Sequence, residues 1–378
     1  MPNNWKTYKL EKVATLQRGF DLPNTKRTDG DYPVIAASGF STWHNEFKVK
    51  APGVTTGRSG TLGQVHYVEN DFWPLNTSLW VKDFHGNDVR FVYYFLQTLN
   101  FEEYNSGTSV PTLNRNDVHK LDVTIPDLPE QQSIASILSA IDDKIENNLA
   151  INKTLEEMAM ALYKHWFVDF GPFQDGEFVA SELGMIPKGW EVKRLIDFAN
   201  LTMGQSPKSE FYNSDKIGLP FHQGVTNYGE RYPEDVTYST EGNRFAEEGD
   251  ILFSVRAPVG RLNIAKNKII LGRGLASMRL KESNQNNFLF YLLKNFFTKD
   301  DIIGDGTVYS SVNKVEIENL KFITPSKTII DSFNEIIIDI DNKYLNNYKE
   351  NQTLTQLRDT LLPKLISGEV RLKEFREN

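Results

Sequence analysis

The chain has 378 residues, of which 39% are hydrophobic and 12% aromatic, no cysteine, and a formal net charge of −8. It is long enough for more than one folded domain and too apolar for a disordered chain. The missing cysteine excludes disulfides, thiolate metal sites and cysteine nucleophiles, and the acidic balance gives no global basic footprint for nucleic acid.

The opening Met1-Pro2-Asn3-Asn4-Trp5-Lys6 has no apolar h-region, so no secretory signal is expected. No run approaches the ~20 apolar residues of a membrane span. The lack of cysteine fits a reducing compartment, and a cytoplasmic location is expected. Residues 1–126 mix turns with short β-like runs such as Gly63-Gln64-Val65-His66-Tyr67-Val68. One helix with apolar spacing is expected at Phe91-Val92-Tyr93-Tyr94-Phe95-Leu96. Residues 127–170 read as one long helix, with Asp127 as N-cap, Pro129 and Glu130 in its first turn, and Gly171-Pro172 as its end. A linker, 171–189, follows. Residues 190–325 form a second mixed region, with runs Asp250-Ile251-Leu252-Phe253-Ser254-Val255 and Lys321-Phe322-Ile323. Its helix is expected at Phe288-Leu289-Phe290-Tyr291-Leu292-Leu293. Residues 326–378 read as a second long helix and tail, capped by Ser326 and ended by Ser367-Gly368. Much of the acid is expected on exposed faces of 130–169 and in the loop 230–250.

The order of elements repeats. Asp142-Asp143-Lys144-Ile145-Glu146-Asn147-Asn148 reappears 199 positions later (142 to 341) as Asp341-Asn342-Lys343-Tyr344-Leu345-Asn346-Asn347. Gly107-Thr108 maps to Gly306-Thr307, Leu121 to Leu320, Pro126 to Pro325 and Leu162 to Leu361 at the same offset. Trp5 and Gly19 match Trp190 and Gly204 at an offset of 185 (5 to 190), so the second copy gains residues between these early anchors and the later zone of offset 199. Loops absorb such insertions and packed elements do not. A gapless offset marks duplication, and a duplicated chain can treat a two-part target as two halves.

Each long helix carries two seven-residue ladders, alternately four and three residues apart, as a coiled coil requires. The first helix has Ile134, Ile141, Asn148, Leu155, Leu162 and Leu138, Ile145, Asn152, Ala159, Trp166. The second has Phe333, Ile340, Asn347, Leu354, Leu361 and Ile337, Tyr344, Asn351, Arg358, Leu365. An ordinary amphipathic core helix would show similar spacing over a shorter stretch. Asparagine inside an apolar ladder costs stability and fixes register, so antiparallel pairing is expected to bring Asn148 and Asn152 against Asn347 and Asn351. Helix pairing is assigned to Ile141, Asn148, Asn152, Leu155, Ile340, Asn347, Asn351 and Leu354. The fold class expected is α+β: two globular domains in pseudo-twofold tandem repeat, separated by two long helices paired as an antiparallel coiled coil. A helix of ~35 residues spans ~50 Å at ~1.5 Å per residue.

Catalytic motifs are missing. There is no Asn/Asp-Pro-Pro-aromatic motif of an amino-methyltransferase. The nearest piece to a phosphate loop, Gly53-Val54-Thr55-Thr56-Gly57-Arg58-Ser59-Gly60, has the wrong spacing and Arg in place of Lys. His44, His66, His85, His119, His165 and His222 fall into no metal-ligand spacing. The chain is therefore expected to recognise and assemble rather than catalyse, with no metal and no cofactor of its own.

Further motifs punctuate this duplicated chain. Pro129-Glu130-Gln131-Gln132 opens the first long helix, Ile186-Pro187-Lys188-Gly189-Trp190-Glu191 opens the second mixed region, and Gly204-Gln205-Ser206-Pro207 follows it. Then come Gly249-Asp250-Ile251-Leu252-Phe253-Ser254-Val255-Arg256-Ala257-Pro258-Val259-Gly260, Gly272-Arg273-Gly274-Leu275-Ala276 and, at the end, Leu361-Leu362-Pro363-Lys364-Leu365-Ile366-Ser367-Gly368-Glu369. In this order they resemble the specificity subunit of type I restriction–modification systems over essentially the whole length. The first and last are similar to the start of that family's helix and its C-terminal close, residues 186–191 to the opening of its second target-recognition domain, and residues 249–260 and 272–276 to family signatures. The first copy departs from the pattern, with Gln17-Arg18-Gly19-Phe20 and Val54-Thr55-Thr56-Gly57-Arg58-Ser59-Gly60 at the matching places. The resemblance implies that each globular domain reads one half of a split, asymmetric DNA target. It implies that the helices set the unread spacer and dock two methylation subunits, and that motor/nuclease subunits complete the restriction enzyme. S-adenosylmethionine would sit on the methylation subunits, and ATP and Mg on the motor subunit.

Arg or Lys on guanine, Asn or Gln on adenine, and Ser or Thr on several bases are the usual major-groove readers, and exposed loops carry such residues. Candidates in the first domain are Arg18, Thr56, Arg58, Ser59, Ser109 and Asn114. Those in the second are Ser206, Lys208, Gln223, Arg256, Arg261 and Arg273. Each arginine could equally serve a surface ion pair or a phosphate. Two other readings stand beside this one: a specificity chain of a type II enzyme with a split target, and a structural coiled-coil adaptor with no DNA role.

Overall fold

The computed structural model describes residues 5–107, 109–282, 285–297 and 311–372. Thr108, Gly306-Thr307 and Tyr309-Ser310, which belong to the repeat, lie outside the described residues. The chain divides into two compact units, one of Met1–Leu149 with Tyr348–Asn378 and one of Ala150–Asn347. The two longest helices, Leu128–Phe167 and Lys327–Ile366, each contribute one half to each unit.

In the first unit, Lys6–Lys9 pairs antiparallel with Asp122–Ile125. An antiparallel sheet orders Thr15–Arg18, Ser78–Asp83, Gly53–Gly57 and Val65–Val68. A third sheet places Tyr32–Ala36 between Gly39–His44 and, in parallel, Trp73–Pro74. The helix Val89–Gln97 starts where the Asp88 carboxylate accepts from Phe91 N at 2.8 Å. It buries Phe91, Val92, Tyr94, Phe95 and Leu96, the i, i+3, i+4 spacing of a helix with one apolar stripe. The core joins this stripe to Leu10, Val54 and Leu79 and to Ile134, Leu138, Leu365 and Ile366 of the long helices. The domain therefore folds onto its own pair of helix halves.

The second unit repeats the plan. Glu191–Arg194 pairs with Lys321–Thr324. The antiparallel sheet orders Ala199–Met203, Leu275–Leu280, Ile251–Ser254 and Leu262–Ile264. A five-stranded sheet contains the parallel pair Leu219–His222 and Ile269–Leu271. The helix Asn287–Phe297 packs Phe288 and Tyr291 against Tyr163, Phe167 and Phe333. Residues 171–189, expected as a linker, instead carry a hairpin, Phe178–Ser181 with Gly184–Pro187. Phe170 and Phe173 set their rings against Trp190 at 5.4 and 5.1 Å. That segment is folded because its aromatics have an apolar wall to bury against.

The helix halves run antiparallel in each unit. In the first, Asp142 accepts from Arg358 at 2.9 Å, while Asn148 Nδ2 donates to Asn351 Oδ1 at 2.8 Å and Asn351 Nδ2 donates to Ile145 O at 3.2 Å. In the second, Asn347 Nδ2 donates to Asn152 Oδ1 at 2.9 Å and Asn152 Nδ2 to Tyr344 O at 3.2 Å. None of the ladder positions is exposed. Pairing the amides is what makes their burial tolerable, since a buried polar group without a partner costs ~1–3 kcal/mol. Asp127 caps the first helix by accepting from Glu130 N at 3.3 Å. Ser326 receives Ile329 N and Ile330 N on its backbone oxygen.

Two polar ties close the first unit. Glu130, 1% exposed, accepts from Trp5 Nε1 at 3.0 Å and from Arg371 at 2.9 and 2.8 Å, which ties both ends of the chain to the helix start. His119 Nε2 accepts from Leu16 N at 2.9 Å, so the neutral ring is the bonded form. Desolvation lowers the His119 pKa below its ordinary value, against a smaller upward pull from Glu11. A depressed folded-state pKa gives stability that is present above the ordinary value of 6.5 and lost as pH falls through the folded one. Stability of the first unit should therefore fall as pH drops below 6.5, and His119→Asn should flatten that slope. An unchanged slope in urea unfolding at several pH values would contradict the assignment.

Candidate nucleic-acid interface

In the second unit a net of backbone bonds gathers four of the candidate residues. Ser206 Oγ accepts from Arg273 N at 3.1 Å. Gln223 O accepts from Gly274 N, and Gly274 O from Val255 N, both at 2.9 Å. Arg256 follows directly and is held by a bridge to Ser311. The motif Gly272-Arg273-Gly274 has a steric reason. A Cβ on Gly272 would lie 2.5 Å from Gln223 Cα, and one on Gly274 2.4 Å from Gln223 O. Only glycine on both sides lets the strand ends approach so closely, and the arginine between them is left exposed.

The turn from Arg256 to Arg261 is closed by Ser254. Its Oγ accepts from Arg261 N at 2.8 Å and donates to Pro258 O at 2.6 Å. Arg256, Arg261 and Arg273 are all exposed, and none has an acidic partner among the described residues. Three unpaired guanidinium groups on one set of joined turns make a local cationic surface on an acidic chain, and local distribution governs attraction of phosphate. Lys208 stands apart, exposed and paired with Glu210 at 3.5 Å. Arg244 was not among the candidates. It is exposed, and its backbone oxygen accepts from Leu271 N at 2.9 Å, which puts it beside the same turns. It lies in a loop between short strands, and no motif in the sequence marks it.

The first unit departs in detail. Arg18 ends its strand and pairs with Asp21 at 3.4 Å, and Asp21 also takes the side-chain amide of Asn76. Arg58 Nη1 donates to Asn76 O at 3.3 Å, and Arg58 N and Ser59 N both donate to Thr77 O. Arg18, Arg58 and Ser59 thus share one edge through Asp21, Asn76 and Thr77. Sheet pairing equates Gly57↔Ser78 with Ser254↔Leu275, and the bridges Ser59↔Thr112 and Arg256↔Ser311 occupy matching places. Ser59, not Arg58, is the counterpart of Arg256, so the halves present different chemistry at one position. One candidate needs correction. Thr56 is 1% exposed, with no partner for its Oγ1 among the described residues. It lies inside the sheet and cannot reach a base. Asn114 is exposed, but its side chain is committed as a cap, accepting from Asn116 N at 3.0 Å. Ser109 is exposed, with no side-chain bond among the described residues.

No group of acidic or histidine side chains able to hold a metal occurs among the described residues. No described helix is long and apolar enough to cross a membrane.

The profile of the type I restriction modification DNA specificity domain matches this chain twice, over residues 2–157 and 187–357. The chain is 29% identical to the type I restriction enzyme MjaIX specificity subunit of Methanocaldococcus jannaschii, covering 99% of this chain and 95% of that one. It is 27% identical to the type I restriction enzyme HindI specificity subunit of Haemophilus influenzae, covering 82% and 84%. The crystal structure of a type I restriction–modification S subunit from M. genitalium has a similar fold, with a TM-score of 0.64, 18% identity and 97% of each chain covered.

Proposed function

The chain belongs to the type I restriction modification DNA specificity family, and from that membership we propose that it reads DNA sequence for a type I restriction–modification enzyme. Each unit contacts one half of a bipartite, asymmetric site, and the paired helix halves set the unread spacer. The observation that carries the reading is the double match of a DNA specificity domain, one match to each copy of the repeat. The exposed arginine turns of the second unit, and their altered counterparts in the first, support two half-sites of different sequence. The chain is a recognition component without catalysis of its own. Two methylation subunits carrying S-adenosylmethionine dock on it and methylate adenine, and motor/nuclease subunits using ATP and Mg complete the restriction complex. Partners supply much of the phosphate contact, which reconciles DNA reading with a net charge of −8.

The test is to express the chain with its neighbouring methylation subunit in a methylation-free host and to map modified adenines by long-read sequencing. The expected result is a split motif with an unread spacer. Well-folded, co-purifying subunits that leave adenine unmodified would overturn the reading in favour of an adaptor. In the same assay Arg256→Ala should relax or weaken recognition in one half-site only, at a cost of about 1–3 kcal/mol if it contacts a base edge. An unchanged motif modified at an unchanged rate would remove Arg256 from the interface.

A further inference from the structure

The second unit seals the outer edge of its four-stranded sheet with its own loop. Ile264, on the edge strand Leu262–Ile264, donates its backbone N–H to Arg231 O at 2.8 Å. The Arg231 side chain, 3% exposed, then runs inward to Asp341 at 2.6 Å and Glu156 at 3.3 Å. Its guanidinium lies over the rings of Phe290, Tyr291 and Tyr344 at 4.9, 5.7 and 4.9 Å.

The first unit has the same frame without that loop. Its edge strand is Val65–Val68, the last in the sheet order. Tyr93, Tyr94 and Asp142 stand where Phe290, Tyr291 and Asp341 stand, and Tyr94 OH donates to Asp142 at 2.6 Å as Tyr291 OH does to Asp341 at 2.8 Å. The counterpart of the arginine loop is the strand Gly39–His44, which follows the matching member of the parallel strand pair. It carries no arginine. It offers Phe40 and Trp43, 57% and 49% exposed, with rings 5.1 Å apart. What remains is an open cleft of about 470 Å³ lined by these rings, Tyr67, Tyr93, the carboxylates of Asp143 and Glu146, and Arg90, whose guanidinium lies over one wall, the Tyr67 ring, at 4.9 Å. Arg90 neutralises Asp143 and Glu69 at 3.0 Å each, and Arg358 takes Asp142 at 2.9 Å. Glu146 forms no ion pair among the described residues, and the cation acting on it, Arg90, is already bonded to Asp143 and Glu69. Desolvation raises the Glu146 pKa, and the negative charges of Glu69, Asp143 and Asp142 add to the shift against a smaller downward pull from Arg90.

We propose that this cleft receives an arginine side chain from a protein partner, in the place that Arg231 fills in the second unit. Aromatic walls and a carboxylate floor suit a guanidinium, which stacks and bonds in one plane, better than an ammonium. The surplus negative charge disfavours DNA phosphate. The inference rests on the proposed assembly with a methylation subunit, and assigns that subunit as the partner.

The full-length chain is to be tested for affinity to its neighbouring methylation subunit as wild type, Glu146→Gln and Trp43→Ala. Each variant should bind about tenfold or more weakly, the scale of losing one partner of a desolvated charge pair, with melting behaviour unchanged. Wild-type affinity in both variants would overturn the proposal. So would variants that alter the modified DNA sequence instead of the subunit affinity, which would give the cleft to DNA. A second arm titrates arginine amide and lysine amide into the chain alone, reading the fluorescence difference between wild type and Trp43→Phe. A saturable response to arginine amide that exceeds the lysine response supports the site, and equal or absent responses overturn it. A wild-type chain that responds to arginine amide yet does not bind the methylation subunit would sink the assembly reading rather than the cleft.

Discussion

Replacing Arg231 with alanine should destabilise the second unit by about 3–5 kcal/mol, the usual result of removing one partner from a buried ion pair. Burial works against the Arg231 charge, but Asp341, Tyr291 and Glu156 together outweigh it and hold the guanidinium pKa above its ordinary value. Take the cation away, and Asp341 keeps Tyr291 OH and the Asn287 amide, while Glu156 keeps Lys294 at 2.7 Å. Neither set of bonds replaces a positive charge held beside Asp341. Lysine is a poor substitute, because a point charge cannot span two carboxylates and stack on a ring as the planar fork does. Hydrogen exchange should show the loss at Tyr163, Phe167 and 288–293, with the first-unit core unaffected. Replacing Arg231 and Asp341 together with apolar residues should recover part of the stability, since the penalty lies in the uncompensated charge. A loss below about 1 kcal/mol for the single variant, the size of an exposed pair, would show that the cluster is not a buried ionic anchor.

That cluster also marks the limit of what the sequence reveals. The duplicated order of elements, the ladders and the Asp127 cap follow from offsets, spacing and residue type, which are local or periodic signals. Residues 230–250 read as an acidic, exposed loop, but only about half of them are exposed, and the stretch carries the short strands Tyr238–Ser239 and Phe245–Ala246. Arg231, Tyr232 and Pro233 are buried, because tertiary partners from two helices and a sheet edge converge on them. No periodicity within the loop carries that information. Thr56 failed for the opposite reason. The run Val54-Thr55-Thr56-Gly57 is buried at every position, whereas a threonine in an alternating strand is ordinarily read as facing solvent. The pairing of Ser59 with Arg256 needed the strand register, since the inserted residues of the second copy blur the alignment. The Gly272-Arg273-Gly274 turn was visible as a motif, and the structure supplies its steric cause.

The helix register permits a second large effect. Deleting residues 145–151 removes one heptad from the first long helix and slides its ladder against the second. Asn148 is lost with its bonds to Asn351 and Glu350, and Asn152 moves away from Asn347. Asn347 on the other helix then stays buried without its partner, at ~1–3 kcal/mol, half-buried Asn351 loses its bonds to Asn148 and Ile145, and the apolar ladders meet out of register. Such a chain should fail to support site-specific methylation. Deleting 348–354 from the second helix as well should rescue it. The Asn152–Asn347 pair then faces itself again, and Asp142 recovers a partner at Arg358. Each helix is shorter by about 10 Å at ~1.5 Å per residue, close to three base pairs at ~3.4 Å each. The rescued chain should therefore modify the same two half-sites with an unread spacer about three base pairs shorter. Long-read mapping of modified adenines reads both results at once. If the single deletion keeps the original motif and spacer, the paired helices are not the ruler. If the double deletion restores methylation at the original spacing, the distance between half-sites is set elsewhere, and the asparagine layers serve stability alone.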